Sequence, residues 1–135
     1  MKYYFTSKSA KFSDLLGQTL KQVRLDAIFG DRAYELHLYT NEGLHYILYH
    51  AQDCCEDVYI ESIVGDLDDL VGCPILMAEE AAAPELPTLP NAGYDSYTWT
   101  FYKLATIKGY VDIRWFGCSN GYYSESVDFV LSSRE

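Results

Sequence analysis

Apolar and polar residues alternate with a period of two over positions 34–49, on both sides of Asn41-Glu42-Gly43. Such alternation is typical of two half-buried strands joined by a tight turn. A three-residue loop keeps Leu38 on the same face as Tyr46, whereas a two-residue loop sets Leu38 against a residue of the opposite face. The sequence therefore predicts an antiparallel hairpin with Gly43 in a left-handed conformation.

Weaker patterns predict six further strands, at residues 20–27, 58–64, 75–78, 97–107, 110–116 and 122–131. The last two are predicted to form a hairpin through Ser119-Asn120-Gly121, with Gly121 left-handed and Arg114 opposite Ser126. The turn at Lys108-Gly109 leaves two registers open, with either Leu104 or Ala105 opposite Ile113.

Two short helical turns are predicted beside these strands. Ser13 can cap the first, at residues 14–16, and Asp66 can cap the second, at residues 66–71. The predicted fold class is therefore α+β, a meandering antiparallel β-sheet with one or two short helices in a single domain that spans residues 1–135.

Residues 79–95 interrupt the strand pattern. They contain three consecutive alanines, Pro84, Pro87, Pro90 and Gly93, and proline removes a hydrogen-bond donor from a sheet. The sequence predicts a long exposed loop here, within the domain.

Charge is distributed unevenly, since no lysine or arginine occurs between Arg32 and Lys103 while this stretch carries thirteen carboxylates. Such blocks repel one another, solvate the chain or bind a cationic partner. A net charge of −10 argues against direct binding to nucleic acid or to an anionic membrane. No apolar run suits a signal peptide or a membrane span, so we expect a cytoplasmic protein whose four cysteines stay reduced and buried.

Residues 50–57 concentrate reactive side chains, including His50, Asp53, Glu56 and two adjacent cysteines. Their spacing matches no structural zinc site, and the surrounding carboxylates disfavour a nucleophilic thiolate. Adjacent acids such as Asp68-Asp69 do not face each other across a cleft as glycosidase carboxylates do. We therefore expect no metal, no cofactor and no enzymatic activity. His50, Asp53 and Glu56 are candidates for ligand binding, or alternatively form a turn whose polar groups bind the backbone.

The C-terminal part differs in character. Between Ser96 and Ser124 the acids thin out to Asp112, against Lys103, Lys108 and Arg114. Aromatic rings, a guanidinium group and small polar side chains together can bind a nucleotide-like ligand, although aromatic residues are also common in any sheet. The candidate ligand-binding residues here are Trp99, Lys103, Arg114, Asn120, Tyr122, Tyr123 and Ser124.

Several strings of this sequence resemble an uncharacterised family of small phage and prophage proteins. The resemblance covers most of residues 44–129, and its strings include Gln52-Asp53-Cys54-Cys55-Glu56, Val58-Tyr59-Ile60-Glu61, Gly65-Asp66-Leu67, Thr98-Trp99-Thr100-Phe101-Tyr102-Lys103 and Ser119-Asn120-Gly121-Tyr122-Tyr123-Ser124-Glu125. The phage setting of that family implies a host-takeover or counter-defence protein in the host-cell cytoplasm. Such proteins are typically sponges for nucleotide signals or acidic inhibitors of host enzymes.

These observations lead to two expectations about function. The first is a non-enzymatic phage-type protein that sequesters a nucleotide-like signalling molecule and forms a homo-oligomer. The alternative is an acidic inhibitor, or nucleic-acid mimic, that binds a host defence protein through the acidic stretch. A metal-dependent or cysteine-dependent enzyme ranks third.

Overall fold

The computed structural model describes residues 8–84 and 96–132 and places them in one antiparallel sheet of nine strands. The strands are β1 Lys8–Ser9, β2 Leu20–Phe29, β3 Arg32–Thr40, β4 His45–Tyr49, β5 Asp57–Val64, β6 Met77–Pro84, β7 Ser96–Thr106, β8 Gly109–Ser119 and β9 Asp128–Ser132.

The sheet curls into a half-barrel. Its strand order is β1-β9-β4-β3-β5-β8-β7-β6, and β2 pairs with β3 outside this path. Strand β3 is the branch point, because Leu36 pairs with both Leu25 of β2 and Leu48 of β4, while Ala33 also pairs with Ile60 of β5. The inward-facing side chains of these strands form the main core, in which Trp115 and Tyr102 are fully buried.

The predicted α+β fold class is wrong, since the structure is nearly all antiparallel sheet, with 62% strand and 7% helix. The described residues contain two four-residue 3-10 turns, Phe12–Leu15 and Leu67–Leu70, and no α-helix. Asp66 caps the second turn as predicted, accepting a hydrogen bond from the Asp68 N–H at 2.9 Å, whereas Lys11 rather than Ser13 precedes the first. Turns this short do not offset the cost of helix nucleation.

The predicted hairpin at Gly43 is confirmed. Leu38 pairs with Tyr46 and Leu36 with Leu48, and Gly43 has a φ of +90°. Because residues with a Cβ rarely adopt this φ, glycine at the turn sets the loop length and hence the register.

The predicted C-terminal hairpin is wrong. Gly121 has a positive φ of +93° as expected, but β9 begins at Asp128 and pairs with β4 and β1, not with β8. Arg114 accordingly lies opposite Ser62 of β5 and Phe101 of β7 rather than Ser126.

The turn between β7 and β8 adopts neither of the registers left open by the sequence. Thr106 pairs with Gly109 and Leu104 with Val111, so that Tyr102 rather than Leu104 or Ala105 lies opposite Ile113. The loop is therefore the two residues Ile107 and Lys108.

The first part of the predicted loop at 79–95 is a strand, because β6 pairs with β7 along its whole length, from Met77 with Ala105 to Pro84 with Thr98. Residues 85–95 lie outside the described residues. Strand β6 stands at the end of the sheet order, and an edge strand tolerates a proline because one of its sides needs no donor. No helix within the described ranges is long and apolar enough to cross a membrane.

Candidate functional site

His50 and Glu56 form a buried ion pair beneath the segment that precedes β9. His50 donates from Nδ1 to the Ser126 carbonyl and from Nε2 to Glu56 Oε2, both at 2.7 Å. Glu56 also accepts hydrogen bonds from the backbone N–H groups of Asp53, at 2.8 Å, and Cys54, at 2.9 Å. Both neighbours of the imidazole are acceptors, so the network is complete when both ring nitrogens carry a hydrogen.

The same network sets the ionisation of Glu56. Burial opposes the charge, but the hydrogen bonds from His50, Asp53 and Cys54 outweigh it and lower the pKa of Glu56 from 4.5 to about 2. The carboxylate and imidazole thus lock the turn after β4 to Ser126, and their polar atoms are used inside the protein. Asp53, by contrast, has an exposed side chain.

The cysteines do not all behave as predicted. Cys54 and Cys55 are exposed and joined by a disulfide bond, so the expectation of reduced, buried side chains is wrong for this pair. Cys118 is a buried thiol whose pKa is raised by burial and by nearby carboxylates, and Cys73 is a half-buried free thiol.

A cleft of about 330 Å³ opens between β6, β7 and the segment that leads into β9. This volume is within the range of small-molecule sites, about 300 to 1,000 Å³. Its hydroxyl-bearing lining residues are Ser96, Thr98, Thr100, Tyr123, Ser124 and Ser126.

Two carboxylates also line this cleft. Glu125 is buried and accepts hydrogen bonds from Thr98 Oγ1 at 2.8 Å and Ser119 Oγ at 2.5 Å. Glu80 is exposed and accepts one from the Tyr102 hydroxyl at 3.2 Å. Burial and the Glu80 charge together raise the pKa of Tyr102, so this phenol stays a donor. The cleft is therefore rich in acceptors and negatively charged.

A glycine allows Glu125 to come this close to the sheet. A Cβ atom on Gly117 would lie 2.6 Å from the Glu125 carbonyl oxygen and 3.0 Å from its Cβ. The lack of a side chain at position 117 thus lets the segment before β9 close over the end of β8.

Trp99 and Arg114 lie on the opposite face of the sheet. Thr98 and Thr100 line the cleft, and strand alternation turns Trp99 to the other side, where it packs against Phe116. There the Arg114 guanidinium contacts Glu61 Oε1 through two nitrogens, Nε at 2.8 Å and Nη2 at 2.7 Å. Its guanidinium also lies 5.0 Å from the centre of a Trp99 ring. The Arg114 guanidinium therefore already binds a carboxylate of this chain.

Lys103 shares that outer face, with Glu79 and Asp112 as its register partners on the neighbouring strands. Of the remaining candidates, Tyr123 and Ser124 line the cleft, while Asn120 and Tyr122 are the chain neighbours of its lining residue Gly121. Asn120 Oδ1 accepts a hydrogen bond from the Tyr122 N–H at 3.0 Å, and residue Tyr122 is 82% exposed. The structure thus brings Tyr123 and Ser124 together with the His50–Glu56 pair through Ser126, and separates them from Trp99, Lys103 and Arg114.

A family model described as a domain of unknown function, DUF7448, matches residues 13–129. The chain belongs to the DUF7448 family. The match runs from the first 3-10 turn into β9 and includes both the cleft and the His50–Glu56 pair. No curated protein matches this chain, and no solved structure does.

Of the residues that line the cleft, the sequence predicted only Tyr123 and Ser124. It missed the two carboxylates, Glu80 and Glu125, and the hydroxyl groups of Ser96, Thr98, Thr100 and Ser126. Glu80 lies in the predicted loop at residues 79–95. Glu125 follows directly after the acid-poor stretch between Ser96 and Ser124, from which the C-terminal candidates were chosen. A detectable signal was the alternation of Ser96, Thr98 and Thr100 with aromatic residues, which indicates one hydroxyl-rich face on β7.

Proposed function

We propose that this DUF7448 protein is a non-enzymatic binding protein that sequesters a nucleotide-like small molecule, and that the cleft beside Glu125 holds the sugar and base of that molecule. The phage-type resemblance supports a role in counter-defence. The observation that carries the proposal is the combination, in one cleft of suitable size, of two carboxylates, several hydroxyl groups and a tyrosine ring.

Each of these groups has a partner in a nucleoside. Carboxylates accept hydrogen bonds from ribose hydroxyls and from exocyclic base amines, and the Tyr123 ring offers a face on which a base can stack. Glu125 is already oriented by Thr98 and Ser119, which lowers the ordering cost of binding. A carboxylate oxygen can accept a second hydrogen bond, so these internal bonds leave capacity for a ligand.

Charge limits how a phosphate can be placed. Glu80 and Glu125 repel an anion inside the cleft, and Arg114 and Lys103 lie across the sheet from it. A bound nucleotide is therefore expected to direct its phosphates outward into solvent, and uncharged nucleosides should bind at least as well. Ligand binding by Arg114, a candidate from the sequence, would instead require a second site on the other face of the sheet.

Two variants separate these sites. Glu125→Gln should weaken ligand binding about ten- to a hundredfold, the effect of losing a charge-assisted hydrogen bond of about 1.5 to 3 kcal/mol. Arg114→Ala should leave the affinity unchanged, because Arg114 is on the other face. Calorimetry with nucleosides, cyclic nucleotides and ADP-ribose-type molecules checks both, and Tyr123→Leu serves as a second cleft variant should Glu125→Gln unfold.

The reverse pattern, with Arg114→Ala weakening binding and Glu125→Gln neutral, would move the ligand to the Arg114 face. Equal affinity for wild type and all three variants would refute both sites. The recovered ligand should be chemically unchanged, since an altered ligand places the protein among the enzymes.

The inhibitor hypothesis is supported by a separate observation, which is that some exposed acids form ion pairs and others do not. Asp26, Asp57 and Glu61 form ion pairs with arginines. Other exposed acids form no ion pair with the described residues, among them Asp53, Asp66, Asp68, Glu79 and Glu80. Unneutralised charge of one sign favours a cationic partner surface.

We expect binding of a host defence protein through these acids to weaken sharply between low and moderate salt, because exposed charges are screened within about 10 Å at 0.1 M. Asparagine at Asp66, Asp68 and Asp69 should slow association more than it speeds dissociation. Asp14→Asn, an exposed acid outside the acidic stretch, is the control for surface plasmon resonance. A partner affinity that is indifferent to salt and to the triple substitution would exclude this mode.

A further inference from the structure

A second polar cluster lies on the face of the β2–β3–β4 region that points away from the main core. Strand β2 contributes Asp26, β3 contributes Glu35 and His37, and β4 contributes His45. Asp26 pairs with Glu35 and Tyr39 with His45, while Leu36 and Leu38 point to the opposite, core side. Glu35, His37 and His45 are nonetheless buried, so these ionisable groups are held in place.

The ligand atoms of three of these residues have the spacing that a metal ion requires. His37 Nε2 is 2.9 Å from Glu35 Oε1 and 3.8 Å from Asp26 Oδ2, and one atom from each residue lies within 4.8 Å of the others. Two nitrogen or oxygen ligands at about 2.1 Å from one ion lie about 3.0 to 3.4 Å apart in octahedral or tetrahedral geometry. The two distances from His37 Nε2 lie just below and just above this range. Small movements of the side chains would therefore bring these atoms to the spacing of metal ligands.

His45 orients the imidazole of His37. The His37 Nδ1 and His45 Nε2 atoms are 2.7 Å apart, and the His45 ring stacks on Tyr39 with centroids 4.2 Å apart. The buried Nδ1 atom of His45 has no hydrogen-bond partner among the described residues. When His37 donates from Nδ1 to His45, its Nε2 lone pair faces the two carboxylates, an arrangement that a cation between them stabilises.

We propose that Asp26, Glu35 and His37 bind one divalent transition-metal ion, with His45 as a positioning residue. One imidazole and two carboxylates suit borderline ions such as Zn²⁺, Mn²⁺ or Co²⁺, and the net charge of −10 attracts cations. The Asp26 side chain is 37% exposed, which provides access from solvent and leaves further coordination positions for water. This site is separate from the cleft and does not depend on it.

The test is a titration of the chelator-treated full-length chain with Co²⁺ and Zn²⁺. We expect one ion to bind per chain, with visible Co²⁺ absorption bands and a rise in thermal stability that grows with metal concentration. Zn²⁺ should shift the imidazole NMR signals of His37 and His45 and leave those of His50, which is bonded to Glu56, unchanged. No saturable binding, or equal shifts at all three histidines, would overturn the proposal.

Asp26→Asn and Asp57→Asn form a matched pair of variants. Both carboxylates bind an arginine, at 3.4 Å and 2.7 Å, and their side chains are similarly exposed, at 37% and 34%. Since residues behind the ligands alone change metal affinity about 10- to 100-fold, Asp26→Asn should weaken binding at least tenfold. Asp57→Asn should leave it unchanged. Equal metal affinity for the two variants would overturn the assignment.

Discussion

Replacing Glu56 with alanine is expected to lower the free energy of unfolding by about 3 to 5 kcal/mol, the cost of removing one partner from a buried ion pair. The carboxylate accepts hydrogen bonds from His50 and from the N–H groups of Asp53 and Cys54. All three donors lose their acceptor in the variant, and the buried His50 Nε2 is left without its partner. Urea denaturation monitored by circular dichroism measures the effect.

Asp53→Asn is the control for this prediction. The Asp53 side chain is exposed and only its backbone N–H bonds to Glu56, so its replacement should change the free energy of unfolding by no more than about 0.5 kcal/mol. A Glu56→Ala variant as stable as Asp53→Asn would show that the buried pair contributes nothing.

The same carboxylate should make stability depend on pH. Because folding depresses the pKa of Glu56 from 4.5 to about 2, its contribution is fully present above pH 4.5 and is lost as the pH falls toward 2. The urea midpoint of the wild type should therefore drop more steeply between pH 5 and pH 2 than that of Glu56→Ala. Parallel pH profiles for the two proteins would show that Glu56 does not cause the pH dependence of stability.

Trp115→Ala should have a comparable effect, with a loss of about 3 to 5 kcal/mol in the free energy of unfolding. Trp115 is fully buried in the main core on β8, the strand that pairs with both β5 and β7. Its removal leaves a cavity that the paired strands cannot close, because their hydrogen-bonded registers hold them in place. Chemical denaturation again provides the measurement.

Trp115→Phe separates packing from hydrogen bonding. The indole Nε1 has no hydrogen-bond partner among the described residues, so phenylalanine loses no hydrogen bond and leaves a smaller cavity. We expect Trp115→Phe to lower the free energy of unfolding by less than half as much as Trp115→Ala does. An equal cost for both variants would indicate that the indole N–H carries an interaction.

Local patterns in the sequence predicted one hairpin correctly, whereas the turn at Lys108-Gly109 adopts neither of the expected registers. The hairpin of β3 and β4 follows from alternation and from Gly43, because a tight turn couples the register directly to the loop length. The pairing of β9 was not predictable in this way. Phe129 lies in the same core as Val111 and Ile113 of β8, but a shared face does not determine which strand supplies the hydrogen bonds.

Strand β6 and the cleft show where propensity fails. Ala81–Ala83 and Pro84 favour a loop in isolation, and they become a strand because β7 offers a complete row of hydrogen-bonding partners. The placement of Tyr123 and Arg114 on opposite faces of the sheet also depends on long-range pairing. Both residues lie in one aromatic, acid-poor span, and only the long-range strand order sends one to the cleft and the other to the opposite face.

The pairing of β9 with β4 also bears on how fast the chain can fold. Tyr49 pairs with Asp128, and β1 in turn pairs with β9 through Lys8 and Leu131, so strands distant in sequence must meet before this part of the sheet is complete. Closing such long loops costs entropy before any contact repays it, and sheets dominated by non-local pairs fold in about milliseconds to seconds. We therefore expect the hairpins β2–β3, β3–β4 and β7–β8 to form early and the closing strand, which brings Ser126 over His50, to pair last.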